Sequence, residues 1–360
     1  MENLKRIFND SFSIGFNSKG IKSIVNPNDI NEMDFVLQDD NNYINYEKVF
    51  KALGHFDLVY NKNGSTKKFE PESSFDSDES KVSFTKTNND FEVMETFTVK
   101  DNVLSWDINV KNMTDSDLTI LDFQLPLCFN TAYARAWQET YLRRAIRHSY
   151  IAGHGSFIFL NKAGGDPPFL LMMPSIGTSI DCFDVETTHD AGRFEGIYSI
   201  YLHANKKNQN KKWRLPTPNK IIKKHRSCSY GFIFKWVKNH DQVRKNLFSK
   251  GLIDIRVMPG MTVPVGLECK ILLKTKLEQI SLKSEFETDT EISKRKSSSN
   301  NHLYSIFFKK LGENLITIGD KSGFKSYLQF FVTEPLETMI KKRSSFITKN
   351  QFCNDKTKWF

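Results

Sequence analysis

Phe91-Glu92-Val93-Met94-Glu95-Thr96-Phe97-Thr98-Val99-Lys100-Asp101-Asn102-Val103-Leu104-Ser105-Trp106-Asp107-Ile108-Asn109-Val110 decides the reading of this chain. Phe91, Val93, Glu95, Phe97 and Val99 share one face of an extended segment. Leu104, Trp106, Ile108 and Val110 share a face of the next, alternating with Ser105, Asp107, Asn109 and Lys111. Strict period-2 alternation over this length means strands with one face buried and one wet. Lys100-Asp101-Asn102 is the turn between them.

Outward from this hairpin the pattern repeats. Leu118, Ile120, Phe123 and Leu125 extend the meander, and further strands are expected near 157–160, 169–173, 196–203, 228–237 and 253–257. Tyr230, Phe232, Phe234 and Trp236 fall on one face and read as core. Upstream, Phe12, Ile14 and Phe16 return through Asn17-Ser18-Lys19-Gly20 to 21–25, where Asn26-Pro27-Asn28-Asp29 stops the strand. Residues 61–80, rich in Asn, Ser, Glu and Asp, read as an exposed loop. Met258-Pro259-Gly260-Met261 separates the 253–257 strand from Val263 and 267–277. Short strands joined by turns predict a mainly β fold, a large antiparallel β-sandwich. Thirty Phe and 13% aromatic residues agree, because flat rings pack on pleated surfaces.

Helices are few. Asn239 caps one that carries Val243 and Leu247 on one face and ends at Gly251. Three divisions are expected: a sandwich over 1–280, a polar linker over 281–301, and a small β segment with a helix over 302–360. Glu334-Pro335 opens that last helix, whose Leu336, Met339, Ile340 and Phe346 want a partner surface. Trp359-Phe360 is an apolar ending, from which a following domain or a docking chain is expected.

Composition narrows the class. No apolar run approaches the length that spans a membrane. The first ten residues hold no apolar core of a signal peptide, so a cytoplasmic setting is expected, or secretion if a leader was removed. Cys128, Cys182, Cys228, Cys269 and Cys353 are scattered and odd in number, which argues for thiols over a disulfide framework or a zinc site. Net charge is +9, and residues 205–226 hold nine Lys and Arg with no acid. That run reads as a solvated loop or as a site for an anionic partner. Nucleic acid is the weaker choice of anion, since Trp213 is the one aromatic among these charges.

Five strings look familiar together: Arg143-Arg144-Ala145-Ile146-Arg147-His148-Ser149-Tyr150-Ile151-Ala152-Gly153-His154-Gly155-Ser156-Phe157, Pro168-Phe169-Leu170-Leu171-Met172-Met173-Pro174, Trp213-Arg214-Leu215-Pro216, Val257-Met258-Pro259-Gly260-Met261-Thr262-Val263-Pro264, and Phe330-Phe331-Val332-Thr333-Glu334-Pro335-Leu336-Glu337. In this order the sequence resembles an uncharacterised, glycoside-hydrolase-like microbial family that pairs an N-terminal β-supersandwich with a C-terminal six-hairpin α/α toroid. The resemblance runs from Phe12 to Phe360 and covers the N-terminal part. It implies that the catalytic carboxylates belong to the toroid and lie outside this chain. It assigns no role to any of these strings.

The residues offer a sugar-binding site in outline. Glycoside hydrolysis needs two carboxyl groups across the bond, and no pattern pairs two of the 42 acids. No catalytic residue is assigned, and neither a cofactor nor a metal is expected. Glu139 in Trp137-Gln138-Glu139-Thr140 lies among aromatic and basic residues, where it either joins a sugar-binding loop or pairs with Arg143 one helical turn on. His148 and His154 flank a strand, and Gly153 and Gly155 either aim His154 at a ligand or simply permit a tight turn. Ser156 lacks the glycine pattern of a nucleophile elbow and is set aside. Trp213-Arg214 either stacks on a sugar and holds a carboxylate, or pins a loop. The candidate substrate-binding set is therefore Trp137, Gln138, Glu139, Arg143, His148, His154, Trp213 and Arg214. The expected function is a non-catalytic sandwich module of a glycoside hydrolase that supports a sugar site. The alternatives are a free-standing carbohydrate-binding protein and a polyanion-binding protein.

Overall fold

The computed structural model describes residues 4–37, 52–131, 137–187, 196–351, 353, 355 and 357. Trp359 and Phe360 lie outside the described residues. The chain forms two compact units, 1–252 and 253–360.

In the first unit the hairpin stands as read. Phe91–Lys100 pairs antiparallel with Val103–Asn112, with Phe97 opposite Trp106. These two rings stack 5.2 Å apart, and Phe232 continues the ladder 5.4 Å from Trp106. Such cross-strand aromatic pairs add about 0.5–1.5 kcal/mol each beyond the area they bury. The hairpin sits inside an eight-stranded antiparallel sheet ordered Ala145–Tyr150, Phe157–Lys162, Phe169–Pro174, Ser227–Val237, Val103–Asn112, Phe91–Lys100, Lys81–Thr87, Glu72–Ser77.

A second sheet runs Cys182–Thr187, Gly196–Ala204, Leu118–Leu127, Asp57–Lys62, Ser65–Lys68, and Lys220–Ile222 also pairs with Leu118–Leu127. The two sheets enclose one apolar core. Phe123 meets Tyr230 edge-on at 5.6 Å, and Tyr60 meets Phe91 at 5.0 Å. A three-stranded sheet of Lys5–Phe8, Ser13–Asn17 and Gly20–Val25 joins the same core, with Phe12 stacked on Trp236 at 5.0 Å. The 12–25 hairpin and the Tyr230–Phe234 core stripe are as expected.

Two ion pairs with buried members stand in this unit. Glu95 accepts from Lys86 Nζ at 2.6 Å and from the Trp106 indole at 3.2 Å. Lys162 and Asp29, both nearly inaccessible, form an ion pair across 133 residues of sequence. A buried ion needs such a partner because the interior does not solvate it.

Gly20 makes a close approach. Its φ is +130°, and a Cβ there would lie 2.7 Å from the Leu53 carbonyl oxygen. Gly20→Ala is expected to cost about 1–3 kcal/mol from backbone strain and clash. A urea midpoint unchanged from wild type would refute this.

The second unit holds two four-stranded sheets. One is ordered Asp254–Met258, Cys269–Lys274, Asn301–Phe308, Thr290–Ser297. The other is ordered Thr262–Pro264, Lys325–Thr333, Gly312–Gly319, Ser281–Ser284, with its first pair parallel. Residues 281–301, read as a linker, therefore contain the strands Ser281–Ser284 and Thr290–Ser297. Residues 61–80, read as a loop, contain Ser65–Lys68 and Glu72–Ser77. These four strands carry mostly exposed polar side chains, and Thr290–Ser297 is an edge whose lysines deter further pairing.

Among the described residues the α-helices are α1 (Trp137–Arg143), α2 (His240–Ser249) and α3 (Leu336–Phe346). Asn239 caps α2 by accepting from Gln242 N at 3.0 Å, and Val243 and Leu247 are buried, as expected. In α3, Leu336, Met339, Ile340 and Phe346 are exposed. No described helix is long and apolar enough to cross a membrane.

Candidate functional site

The eight candidate residues fall in three places, all within the first unit. Trp137, Gln138, Glu139 and Arg143 lie on α1, where Trp137 and Tyr141, four residues apart, share a face. Their rings stand 6.2 Å apart, and they are 68% and 54% exposed. The two rings meet edge-on, with an interplanar angle of 80°, and leave an exposed aromatic surface on α1. Glu139 does not pair with Arg143. It accepts from Arg144 Nη2 at 2.7 Å. The reason is that α1 ends at Arg143, so the next side chain turns inward. Arg144 is buried and its Nη1 donates to Asn130 Oδ1 at 2.6 Å. Asn130 in turn donates to the Arg143 carbonyl at 2.9 Å, which ties the end of the helix to the sandwich. Glu139 is thus partly a structural residue.

His148 lies on an edge strand of the large sheet. It stacks on Phe159 at 4.5 Å, with Nε2 2.7 Å from Asn161 Oδ1. His240 at the start of α2 meets Phe159 edge-on at 5.2 Å. This set covers an outer sheet face and is separate from the third place.

At the third place, Gly153 and Ile180 exchange backbone hydrogen bonds at 3.2 Å, which carries the His154 segment alongside Asp181. Ser156 Oγ accepts from Ala152 N and donates to Gly153 O, so it closes the turn. Trp213 donates from its indole to the Asp181 carbonyl at 3.0 Å, lies edge-on to Phe183 at 5.6 Å, and packs on Cys182, Tyr201 and Ala204. It pins its loop to the sheet, and Arg214 follows it half-buried.

Here the structure adds residues that sequence reading missed. His203 and Asp181 approach with Nδ1 3.9 Å from Oδ2, too far for a direct hydrogen bond. Asp181 Oδ2 is buried and has no hydrogen-bond partner among the described residues. Tyr230 donates its hydroxyl to His203 Nε2 at 2.8 Å, and Cys228 Sγ donates to Tyr230 at 3.4 Å. Pro218 O lies 3.3 Å from Nδ1, which sets the tautomer with the proton on Nδ1. Burial pushes the Asp181 carboxyl up to about 8 and the His203 imidazole down to about 4. At neutral pH the pair is an uncharged acid beside an uncharged imidazole. Such a pair holds a proton without a net charge. The residues come from 181, 203, 228 and 230, with no shared motif. A weak signal was the polar end of Tyr230 in the core stripe, since a buried phenol needs a partner.

Near this place Arg147 stacks over the Tyr198 ring at 3.8 Å, and Tyr198 stacks on Phe183 at 5.4 Å. Arg147 comes from the edge strand Ala145–Tyr150 and Tyr198 from next to the edge strand Cys182–Thr187. The contact joins an edge strand of the large sheet to the second strand of the other sheet. Cys128, Cys182 and Cys269 are buried thiols, Cys228 is half-buried and Cys353 is exposed. Among the described residues no group of three or more His, Cys, Asp or Glu is placed to hold a metal ion.

The sheets define a mainly β protein built on a large antiparallel sandwich. The chain belongs to the DUF5695 family, a family of unknown function, whose model matches residues 18–360. No curated protein matches it. Among solved structures, a polysaccharide lyase is similar over 98% of this chain and 51% of its own, with TM-score 0.78 and 17% identity. This chain thus spans about half the length of that lyase, and the likeness is one of fold. A galactose mutarotase related enzyme from Lactobacillus acidophilus is similar over 66% of this chain and 98% of its own, with TM-score 0.42 and 10% identity. A GH36 α-galactosidase from Geobacillus stearothermophilus, in complex with stachyose, is similar over 73% of this chain and 45% of its own, with TM-score 0.37 and 12% identity.

Proposed function

We propose that this chain is a non-catalytic β-sandwich module of a larger carbohydrate-active protein of the glycoside-hydrolase-like kind, and that it supports a saccharide-binding site. The observation that carries the reading is the fold likeness over 98% of this chain to about half of a polysaccharide lyase. The open rings of Trp137 and Tyr141 on α1 support a sugar contact there, with Gln138 and Arg143 exposed beside them. The exposed apolar residues of α3 support docking on a further domain, which in this reading is the catalytic one.

The chain is to be tested against a panel of neutral and acidic polysaccharides by affinity electrophoresis, with reducing-end and unsaturated-product assays beside it. Binding without product release is expected. Trp137→Ala with Tyr141→Ala is expected to weaken binding about tenfold, roughly 1.4 kcal/mol, and to leave stability within about 0.5 kcal/mol, because both rings are exposed. Product formed by this chain would remove the non-catalytic role, and a panel with no binding would remove the module reading.

A further inference from the structure

The segment 205–226 is a loop that carries one short strand, Lys220–Ile222. The two ends of its 205–220 stretch meet and its middle is anchored. Asn205 N donates to Leu121 O at 2.9 Å, and Lys220 pairs with Ile120, so both ends lie on adjacent residues of one strand. Asn205 Nδ2 reaches Thr217 O at 3.3 Å. Trp213 fixes the middle, through its indole and its packing on Cys182, Tyr201 and Ala204.

Among the described residues, four acids from neighbouring elements engage this segment through their carboxylates. Asp184 pairs with Lys207. Asp122 accepts from Lys207 N at 3.0 Å. Asp117 pairs with Lys223 at 2.7 Å, and Asp115 takes His225 at 2.9 Å. Those four are used. Lys206, Lys211, Lys212, Lys220, Lys224 and Arg226 are exposed and make no ion pair among the described residues. Lys206 and Lys207 both bear on Asp122, Lys207 and Lys211 on Asp184, and Lys220 on His203. Lys206, Lys211 and Lys220 therefore stand close to Asp122, Asp184 and His203 on three neighbouring strands, and like charges brought together there raise one another's cost. A polymer that presents repeated anions relieves that repulsion and releases condensed counterions.

We infer that this lysine surface, held on the sheet by Trp213, binds an acidic polysaccharide through its carboxylates. The inference rests on the proposed carbohydrate module and names the charge class of its ligand. Nucleic acid is disfavoured because Trp213, the aromatic of the segment, has its ring and N–H committed to anchoring, so no stacking platform accompanies the charges. Lysines suit the role, since an ammonium on a flexible stem follows anions of irregular spacing.

The test uses the full chain with polygalacturonate, dextran and single-stranded oligothymidylate at 50 and 200 mM NaCl. One variant carries Lys206→Gln, Lys211→Gln, Lys212→Gln and Lys220→Gln. A second, of equal net charge, carries Lys283→Gln, Lys294→Gln, Lys296→Gln and Lys341→Gln. Polygalacturonate is expected to bind, with affinity falling about tenfold or more over that salt range. The first variant is expected to lose about tenfold at fixed salt and the second less than about twofold. Circular dichroism melts confirm that both fold. The inference is overturned if the two variants lose equally, if oligothymidylate binds more tightly than polygalacturonate at the same salt, or if polygalacturonate does not bind. Neutral glycans bound with no preference for acidic ones would sink this inference and leave the module reading standing. No glycan bound at all would sink both.

Discussion

Lys86→Met is expected to destabilise the protein by about 3–5 kcal/mol, the cost of stranding a buried charge. Glu95 is fully buried, and Lys86 is its counter-ion at 2.6 Å. The same ammonium donates to Gly54 O at 2.5 Å and lies 4.3 Å from the Phe56 ring centroid. Burial pushes the Glu95 carboxyl up, while Lys86 and the Trp106 N–H hold it down. Without Lys86 only the Trp106 N–H opposes burial, and the carboxyl takes up a proton in the folded state. A folded-state pKa raised above the unfolded one means that stability falls as pH rises. The loss in Lys86→Met is therefore expected to be largest above neutral pH and smaller near pH 4. The double variant Lys86→Met, Glu95→Gln is expected to recover part of the loss, because it buries no charge. Urea unfolding of the three variants at pH 5 and 8 measures this. Independent, additive effects of the two substitutions would show that the pair is not coupled.

Asp181→Asn is expected to stabilise the protein at alkaline pH and to do nothing near pH 4. Asp181 holds its proton up to about 8 when folded, against an ordinary value of 3.8. The folded state keeps a proton that the unfolded chain releases, so stability falls as pH rises from about 4 to about 8 and is level beyond. Four units at 1.36 kcal/mol each set an upper bound of ~5 kcal/mol on the gain from removing the acid. His203 acts in the opposite direction. Its folded value near 4 lies below the ordinary 6.5, so its contribution falls as pH drops from 6.5 to 4. Over that range the two slopes oppose each other in the wild type, and a net loss is left between 6.5 and 8. In Asp181→Asn the histidine slope is unmasked, and stability is expected to decline below 6.5. Parallel stability curves for wild type and variant across pH 4–9 would show that Asp181 is not the buried acid described.

The hairpin was the clearest element in the sequence because each of its strands has one wet face. Phe91–Lys100 and Val103–Asn112 alternate because each buries one face and solvates the other. Ser65–Lys68 and Glu72–Ser77 bury almost nothing, so their composition is that of a loop. Thr290–Ser297 is an edge strand whose lysines protect the edge, and the same lysines made it read as a linker. For the site, Trp137 and Trp213 were visible as large aromatics outside the alternating runs. Their different fates, open on α1 and pinned against Asp181, follow from neighbours that no local pattern specifies.

By itself the sequence determined the extended segments that bury an apolar face, which faces are apolar, and that nine cations gather between 205 and 226. Those properties depend on residues one or two positions apart, and a period of two records them. Only the tertiary structure decided that Glu95 meets Lys86, that Lys162 meets Asp29, that Glu139 takes Arg144 over Arg143, and that Asp181 faces His203. A buried polar group must find its partner in space. The partner's place depends on sheet order and on where a helix ends, and neither leaves a repeat in the chain.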